Sequence, residues 1–178
     1  MKKRIFIGCS SSNDIPEKYR DDCRHLLEEL FKKENDLVFG ASANGLMGLS
    51  YNVALNNKRE IIAICPKAYQ KDLDDIECIE ILTNNISERT DKLIELCDTL
   101  LFLPGGIGTI YELFTAIESK RNNEYDKPII IYNCHNYYDE WLKVMDKIYE
   151  EKFSKTSDKN SYVVVDSKEK VLDIINNN

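Results

Sequence analysis

The chain has 178 residues, 43% of them hydrophobic, and carries 24 Lys and Arg against 31 Asp and Glu, a formal net charge of -7 at pH 7. That length suits one domain with a substantial core, so residues 1–178 are expected to form a single nucleotide-binding α/β domain. The acidic balance offers no broad attraction to polyanions, which counts against polymeric nucleic acid, and no apolar run is long enough to span a bilayer. The expected setting is cytoplasmic, with no membrane role.

Met1-Lys2-Lys3-Arg4 has the charge of a secretory leader, but only Ile5 to Cys9 follow before Ser10, Ser11, Ser12, Asn13 and Asp14. That run is too short for a leader's apolar core and reads as a first strand. Tyr19, Cys23, Leu26, Leu27, Leu30 and Phe31 then fall on one helical stripe. Strands are expected at Leu37 to Phe39, Ile61 to Cys65 and Cys78 to Leu82. A helix follows with Ile86, Thr90, Leu93, Ile94 and Cys97 on its apolar face, then strands at Thr99 to Leu103 and Ile129 to Tyr132. Tyr138, Trp141, Leu142, Met145, Ile148 and Tyr149 mark another helix, and the polar stretch Lys152 to Asn160 an expendable surface loop. Tyr162 to Val165 reads as the last strand and Lys168 to Ile175 as a closing helix. Short apolar runs of this kind read as strands buried on both faces. Their alternation with helices gives a doubly wound, mainly parallel α/β sheet with helices on both faces. In such sheets ligands bind at the carboxyl ends of strands, so the turns there are where a site should lie.

The six cysteines, Cys9, Cys23, Cys65, Cys78, Cys97 and Cys134, include no C-x-x-C pair and mostly sit among aliphatic neighbours, the pattern of reduced core thiols. His25 and His135 have neither a second His nor a paired Cys beside them, so no metal site is expected.

The strongest chemical signal is Leu100 to Glu112, a buried strand running into Pro104-Gly105-Gly106-Ile107-Gly108-Thr109 and then a helix. A helix N-terminus preceded by glycines presents backbone N–H groups to an anion. No Gly-Lys-Ser/Thr follows, and Tyr111 occupies the last glycine position of a dinucleotide fingerprint, so a single nucleotide phosphate fits better. Against this stands a plain reading in which Thr109 and Glu112 form a Thr-x-x-Glu capping box around a tight turn. Three glycines in four residues favour close backbone approach to a ligand, and Glu112 is taken as catalytic. Gly40-Ala41-Ser42-Ala43-Asn44-Gly45-Leu46-Met47-Gly48 is a second small-residue turn after a strand, equally readable as an Asn44 helix cap with Gly48 allowing close packing. Ser10 and Ser11 offer hydroxyls at the end of the first strand with the same ambiguity. Arg89 and Lys92, three apart on one helix face, would by spacing alone be a solvated charged surface.

Taken together these four elements resemble the Lonely Guy (LOG) family of cytokinin riboside 5'-monophosphate phosphoribohydrolases, long described as possible lysine decarboxylases. The family's P-G-G-x-G-T-x-x-E is complete from Pro104 to Glu112, Gly45 to Gly48 supplies its Gly-Leu-Met-Gly, Lys127-Pro128 its Lys-Pro, and Tyr137-Tyr138 its Tyr-Tyr. The resemblance implies that Arg89 and Glu112 are the catalytic pair. Nucleotide contacts are expected in the small-residue turns, at Ser10, Ser11, Gly40, Asn44, Gly45, Met47, Gly105, Gly106, Gly108 and Thr109. The resemblance also implies a homodimer, no metal, no cofactor, and hydrolysis of a nucleoside 5'-monophosphate to free base and ribose 5-phosphate. There are departures: Thr90 stands for the lysine after the family's arginine, Gly40-Ala41-Ser42 for a three-glycine run, and Ser119 and Arg121 for the tryptophan and glutamine of plant-like members. Those last two positions are expected near the base or the dimer contact.

A carboxylate suits the chemistry, since cleaving an N-glycosidic bond needs an oxocarbenium-like sugar stabilised and a water placed. Glu112 is accordingly assigned to the ribose hydroxyls and the attacking water, and Arg89 to orienting or protonating the leaving side. The rival is a nonenzymatic carrier of a nucleotide or phosphorylated cofactor, as in molybdenum-cofactor carriers of related fold. A lysine decarboxylase would need a Schiff-base lysine and a pyridoxal phosphate pocket, which the sequence does not mark.

Overall fold

The computed structural model describes residues 2–74 and 76–177. Seven parallel strands, β1 (Arg4–Gly8), β2 (Asp36–Phe39), β3 (Ile61–Pro66), β4 (Ile79–Thr83), β5 (Thr99–Phe102), β6 (Ile129–Tyr132) and β7 (Val163–Val165), form one sheet in the order β4-β3-β2-β1-β5-β6-β7. Alternate side chains point to opposite faces. Ile5, Ile7, Leu37 and Phe39 meet α1 (Glu17–Lys32), α2 (Gly45–Asn56) and α6 (Lys168–Asn177). Phe6, Val38, Leu100 and Phe102 meet α3 (Ile86–Glu95), α4 (Ile107–Arg121) and α5 (Asp139–Glu150). Covering both faces is what makes the central strands continuously apolar, and the doubly wound parallel sheet is the fold the sequence called for.

The edges depart from that expectation. Ile79 of β4 and Val163 of β7 are about half exposed, because an edge strand has a neighbour on one side only. The stretch Lys152 to Asn160 is less expendable than it reads. Thr156–Ser161 winds into a short 3-10 helix, Asp158 pairs with Arg121 of α4 at 3.4 Å, and Ser161 is buried.

The chain runs outward from β1 through β2 and β3 to β4, then returns to lay β5 on the other side of β1. The helices that follow β1 and β5 therefore diverge to opposite faces. A crevice opens between them at the carboxyl ends of these two strands, the usual ligand position in such sheets.

Candidate active site

The crevice is floored by backbone. Leu103 N–H donates to Gly8 carbonyl at 2.9 Å and Ser10 N–H to Pro104 carbonyl at 3.1 Å, which stitches the two turns together. Helix α4 starts at Ile107 with Gly106 as its N-cap and no side chain capping it. The capping-box reading is thereby excluded: it requires Thr109 at the cap, whereas Thr109 lies three residues inside the helix and Glu112 six. Gly105 is needed for another reason, since a Cβ there would come 2.1 Å from Thr109 Oγ1. A Cβ on Gly106 or Gly108 would meet nothing within 4 Å, so these two keep the mouth of α4 bare.

Glu112 is only 2% exposed, and its Oε1 accepts from Arg89 Nη2 at 2.9 Å. Arg89 reaches it from α3, whose first turn is held by Asn85 Oδ1 accepting from Glu88 N–H at 2.9 Å. Among the described residues Glu112 Oε2 and Arg89 Nε are buried without a hydrogen-bond partner. Two such orphans in one ion pair are costly to bury unless a group from outside the chain, a ligand or an ordered water, meets them. Burial pushes the Glu112 carboxyl up to about 7, against the opposing pull of Arg89. The solvated-surface reading of the Arg89 helix face fails for Arg89 and holds for Lys92, which pairs with Glu95 at 2.6 Å on the surface.

A cavity of about 360 Å³ joins these groups, lined by Ser10, Ser11, Met47, Gly106, Gly108 and Thr109 together with Arg89 and Glu112. Gly40 flanks it, where a Cβ would sit 3.5 Å from Arg89 Nη1 and 3.8 Å from Met47 Cε. The remaining candidates are not brought to the lining. Asn44 occupies the N-cap position of α2, but its side chain makes no cap and accepts from Asn13 Nδ2 at 3.0 Å. Gly45, at φ 60°, packs under the first loop, and a Cβ there would be 2.6 Å from Ser12 carbonyl. Gly48 passes close to Ala43 rather than to the sheet, with a Cβ reaching 2.1 Å from that carbonyl. Gly45 lets two loops touch, and Gly48 lets its own turn close against α2.

Cys9, Ser12 and Ile107 also line the cavity. Sequence reading passed over Cys9 as a core thiol and Ile107 as the variable position of a motif. Arg121 lies about 18 Å along α4 from Thr109, at 1.5 Å per residue, and pairs with Glu118 and Asp158. Within this chain it is remote from any base in the cavity, because it sits at the opposite end of the helix. No helix among the described residues is long and apolar enough to cross a membrane, and no cluster of three or more His, Cys, Asp or Glu there could hold a metal ion.

Known proteins resemble this chain in sequence and in fold. The family model described as "Possible lysine decarboxylase" matches residues 47–175. Cytokinin riboside 5'-monophosphate phosphoribohydrolase LOG1 of Arabidopsis thaliana is 31% identical over 85% of this chain and 72% of its own. Arabidopsis LOG3 is 32% identical over 85% and 71%. Among solved structures, the molybdenum cofactor binding protein of Rippkaea orientalis superposes with a TM-score of 0.73 over 99% of this chain and 97% of its own, at 16% identity. The Moco carrier protein of Chlamydomonas reinhardtii gives 0.72 over the same shares, also at 16%. The solved structures share the fold; the sequence relatives and the family model cover most of the chain, and the chain belongs to the LOG family.

Proposed function

We propose that the chain hydrolyses the N-glycosidic bond of a nucleoside 5'-monophosphate, releasing ribose 5-phosphate and a free base, adenine or an N6-substituted adenine. The observation that carries this reading is one cavity with a buried, half-satisfied Arg89–Glu112 pair on one wall and the uncapped N-terminus of α4 on another. The first N–H groups of a helix have no partner within it and attract a phosphate. A carboxyl near 7 is poised to exchange a proton at neutral pH. The names of the Arabidopsis relatives support the same substrate class.

In this reading Gly106, Gly108 and Thr109 hold the phosphate while Gly105 lets Thr109 close behind it. Glu112, at its free Oε2, accepts a proton from the attacking water and stabilises the cationic sugar. The water oxygen bonds to C1', the C–N bond breaks with its electron pair going to the base, and the departing base takes up a proton from solvent. Arg89 orients the leaving side. No metal or cofactor is invoked, and turnover is expected to persist in EDTA. A homodimer is expected too, and the exposed stripe Ile107, Tyr111 and Phe114 on α4 is the face a second copy would cover. Light scattering in solution checks it.

The deciding experiment compares adenosine monophosphate with adenosine. Charged hydrogen bonds contribute roughly 1.5–3 kcal/mol each. With two or three made by the α4 turn, removing the phosphate should lower kcat/KM about a hundredfold or more. Equal rates on the two would overturn the phosphate anchor. Tight nucleotide binding without cleavage would favour the carrier reading, which the shared fold of the molybdenum-cofactor proteins supports.

A further inference from the structure

The turn that precedes α4 is gripped from behind, one carbonyl at a time. Tyr138 hydroxyl donates to Leu103 carbonyl at 2.6 Å, Ser10 N–H to Pro104 carbonyl at 3.1 Å, and Tyr137 hydroxyl to Gly105 carbonyl at 2.6 Å. In a trans peptide the C=O and the following N–H point in opposite directions. Fixing the Gly105 carbonyl toward Tyr137 therefore fixes the Gly106 N–H away from it, on the wall of the cavity.

This peptide needs fixing more than any other in the turn. It joins two glycines, and turning it over would carry Gly106 from φ -88° to the left-handed side, which only glycine adopts freely. A flipped peptide would present a carbonyl to the bound anion in place of an N–H. The loop that carries Tyr137 is itself held firmly. His135 and Asn136 adopt φ of 52° and 59°, His135 Nε2 lies 3.3 Å from Asp22 Oδ2, and the Tyr137 ring packs edge-on against Tyr19 and Tyr138 at 5.4 and 5.0 Å. Tyr137 is 39% exposed, so burial alone does not oblige its hydroxyl to find the Gly105 carbonyl.

We infer that Tyr137 is a positioning residue for the phosphate, holding the Gly105–Gly106 peptide in the orientation that makes the turn an anion site. The inference rests on the nucleotide reading above and says which group sets its phosphate selectivity. The probe is Tyr137→Phe, which removes one oxygen and keeps the ring. Ribose 5-phosphate and adenosine monophosphate affinities should fall about fivefold to tenfold, the worth of one neutral hydrogen bond. KM for adenosine monophosphate should rise by the same factor with kcat changed less than about twofold, and adenosine affinity should stay put. A melting curve controls for folding, and Tyr138→Phe serves as the second variant. Tyr138 is fully buried and its carbonyl partner, Leu103, precedes a proline without an N–H, so that variant should lose stability before phosphate affinity.

Unchanged ribose 5-phosphate affinity in Tyr137→Phe would overturn the inference, as would equal losses for adenosine and its monophosphate. If Tyr137→Phe does not fold, a Tyr138→Phe that loses phosphate affinity while retaining its melting temperature would overturn it equally. A wild-type protein that binds neither phosphate ligand would instead sink the nucleotide reading, and the clamp with it.

Discussion

Helices α2 and α4 both follow a strand through a turn of small residues and lie on opposite faces of the sheet, and Met47 of α2 and the first turn of α4 both line the crevice. At α2 the donors are already used. Gly45 N–H donates to Asn13 Oδ1 at 2.9 Å, and Leu46 and Met47 N–H groups donate to Ser10 carbonyl at 2.9 and 3.2 Å. At α4 the turn's carbonyls are tied back and nothing caps the helix. Six residues past each N-cap the contrast repeats. Ser50 of α2 donates to its own helix at Leu46 carbonyl, while Glu112 of α4 holds Arg89. Glycine content makes both turns possible; of the two, only the α4 turn leaves its donors free to meet an anion.

The sharpest way to break that contrast is at position six. Glu112→Gln should lower kcat about a hundredfold to ten-thousandfold, because the amide cannot take a proton. Arg89→Ala should be as severe, since the buried carboxyl then loses its partner and stays protonated. Near-normal turnover in either would remove the pair from the chemistry.

The same variant carries a stability signature. Glu112 titrates near 7 in the folded chain against an ordinary 4.5, so the unfolded chain releases this proton first. Between those values the folded state binds more protons, and stability falls as pH rises from about 4.5 to about 7, levelling off at a cost of about 3 kcal/mol. Melting curves should show Glu112→Gln gaining on wild type from about pH 5 to about pH 8. Parallel curves would mean that Glu112 ionises normally.

Glycine substitutions sharpen the comparison at the two helix starts. Gly45→Ala forces a side chain to φ 60° and within 2.7 Å of the Ser10 and Ser12 carbonyls, for a loss of about 2–4 kcal/mol in chemical denaturation. Gly108→Ala meets no neighbour and should gain about 0.5–1 kcal/mol from helix propensity, while its methyl crowds the phosphate and weakens nucleotide binding. Stability and binding should therefore move in opposite senses between the two turns, and a destabilised Gly108→Ala would contradict the open geometry.

The smallest expected effect is at Ala41, which stands in the family's glycine run and adopts φ 63° while buried. Ala41→Gly relieves a left-handed alanine at about 1–2 kcal/mol and loses about 0.5–1 kcal/mol of unfolded-state entropy advantage. A net gain under about 1 kcal/mol should appear in the same denaturation series.

Local chemistry was legible in the chain itself. Runs such as Ile5 to Cys9 and Thr99 to Leu103 are apolar on both faces, as covered parallel strands are, and the glycine at 105 marks a close approach, which the structure makes to Thr109. Those features depend on neighbours in sequence. Tertiary structure decided what depends on neighbours in space. Thr-x-x-Glu spacing allowed a cap or a catalyst, and the start of α4 at Ile107 excluded the cap. Arg89 and Lys92 looked alike on one helix face until the crossover from β4 to β5 set α3 beside α4 and buried only one of them against Glu112. Asn44 and Gly45 read as ligand contacts, yet their partners come from the Ser10 to Asn13 loop, some 30 residues upstream. Donor satisfaction, burial and the partner of a charge are set by which segments the sheet order brings together, and spacing along one segment does not carry that information.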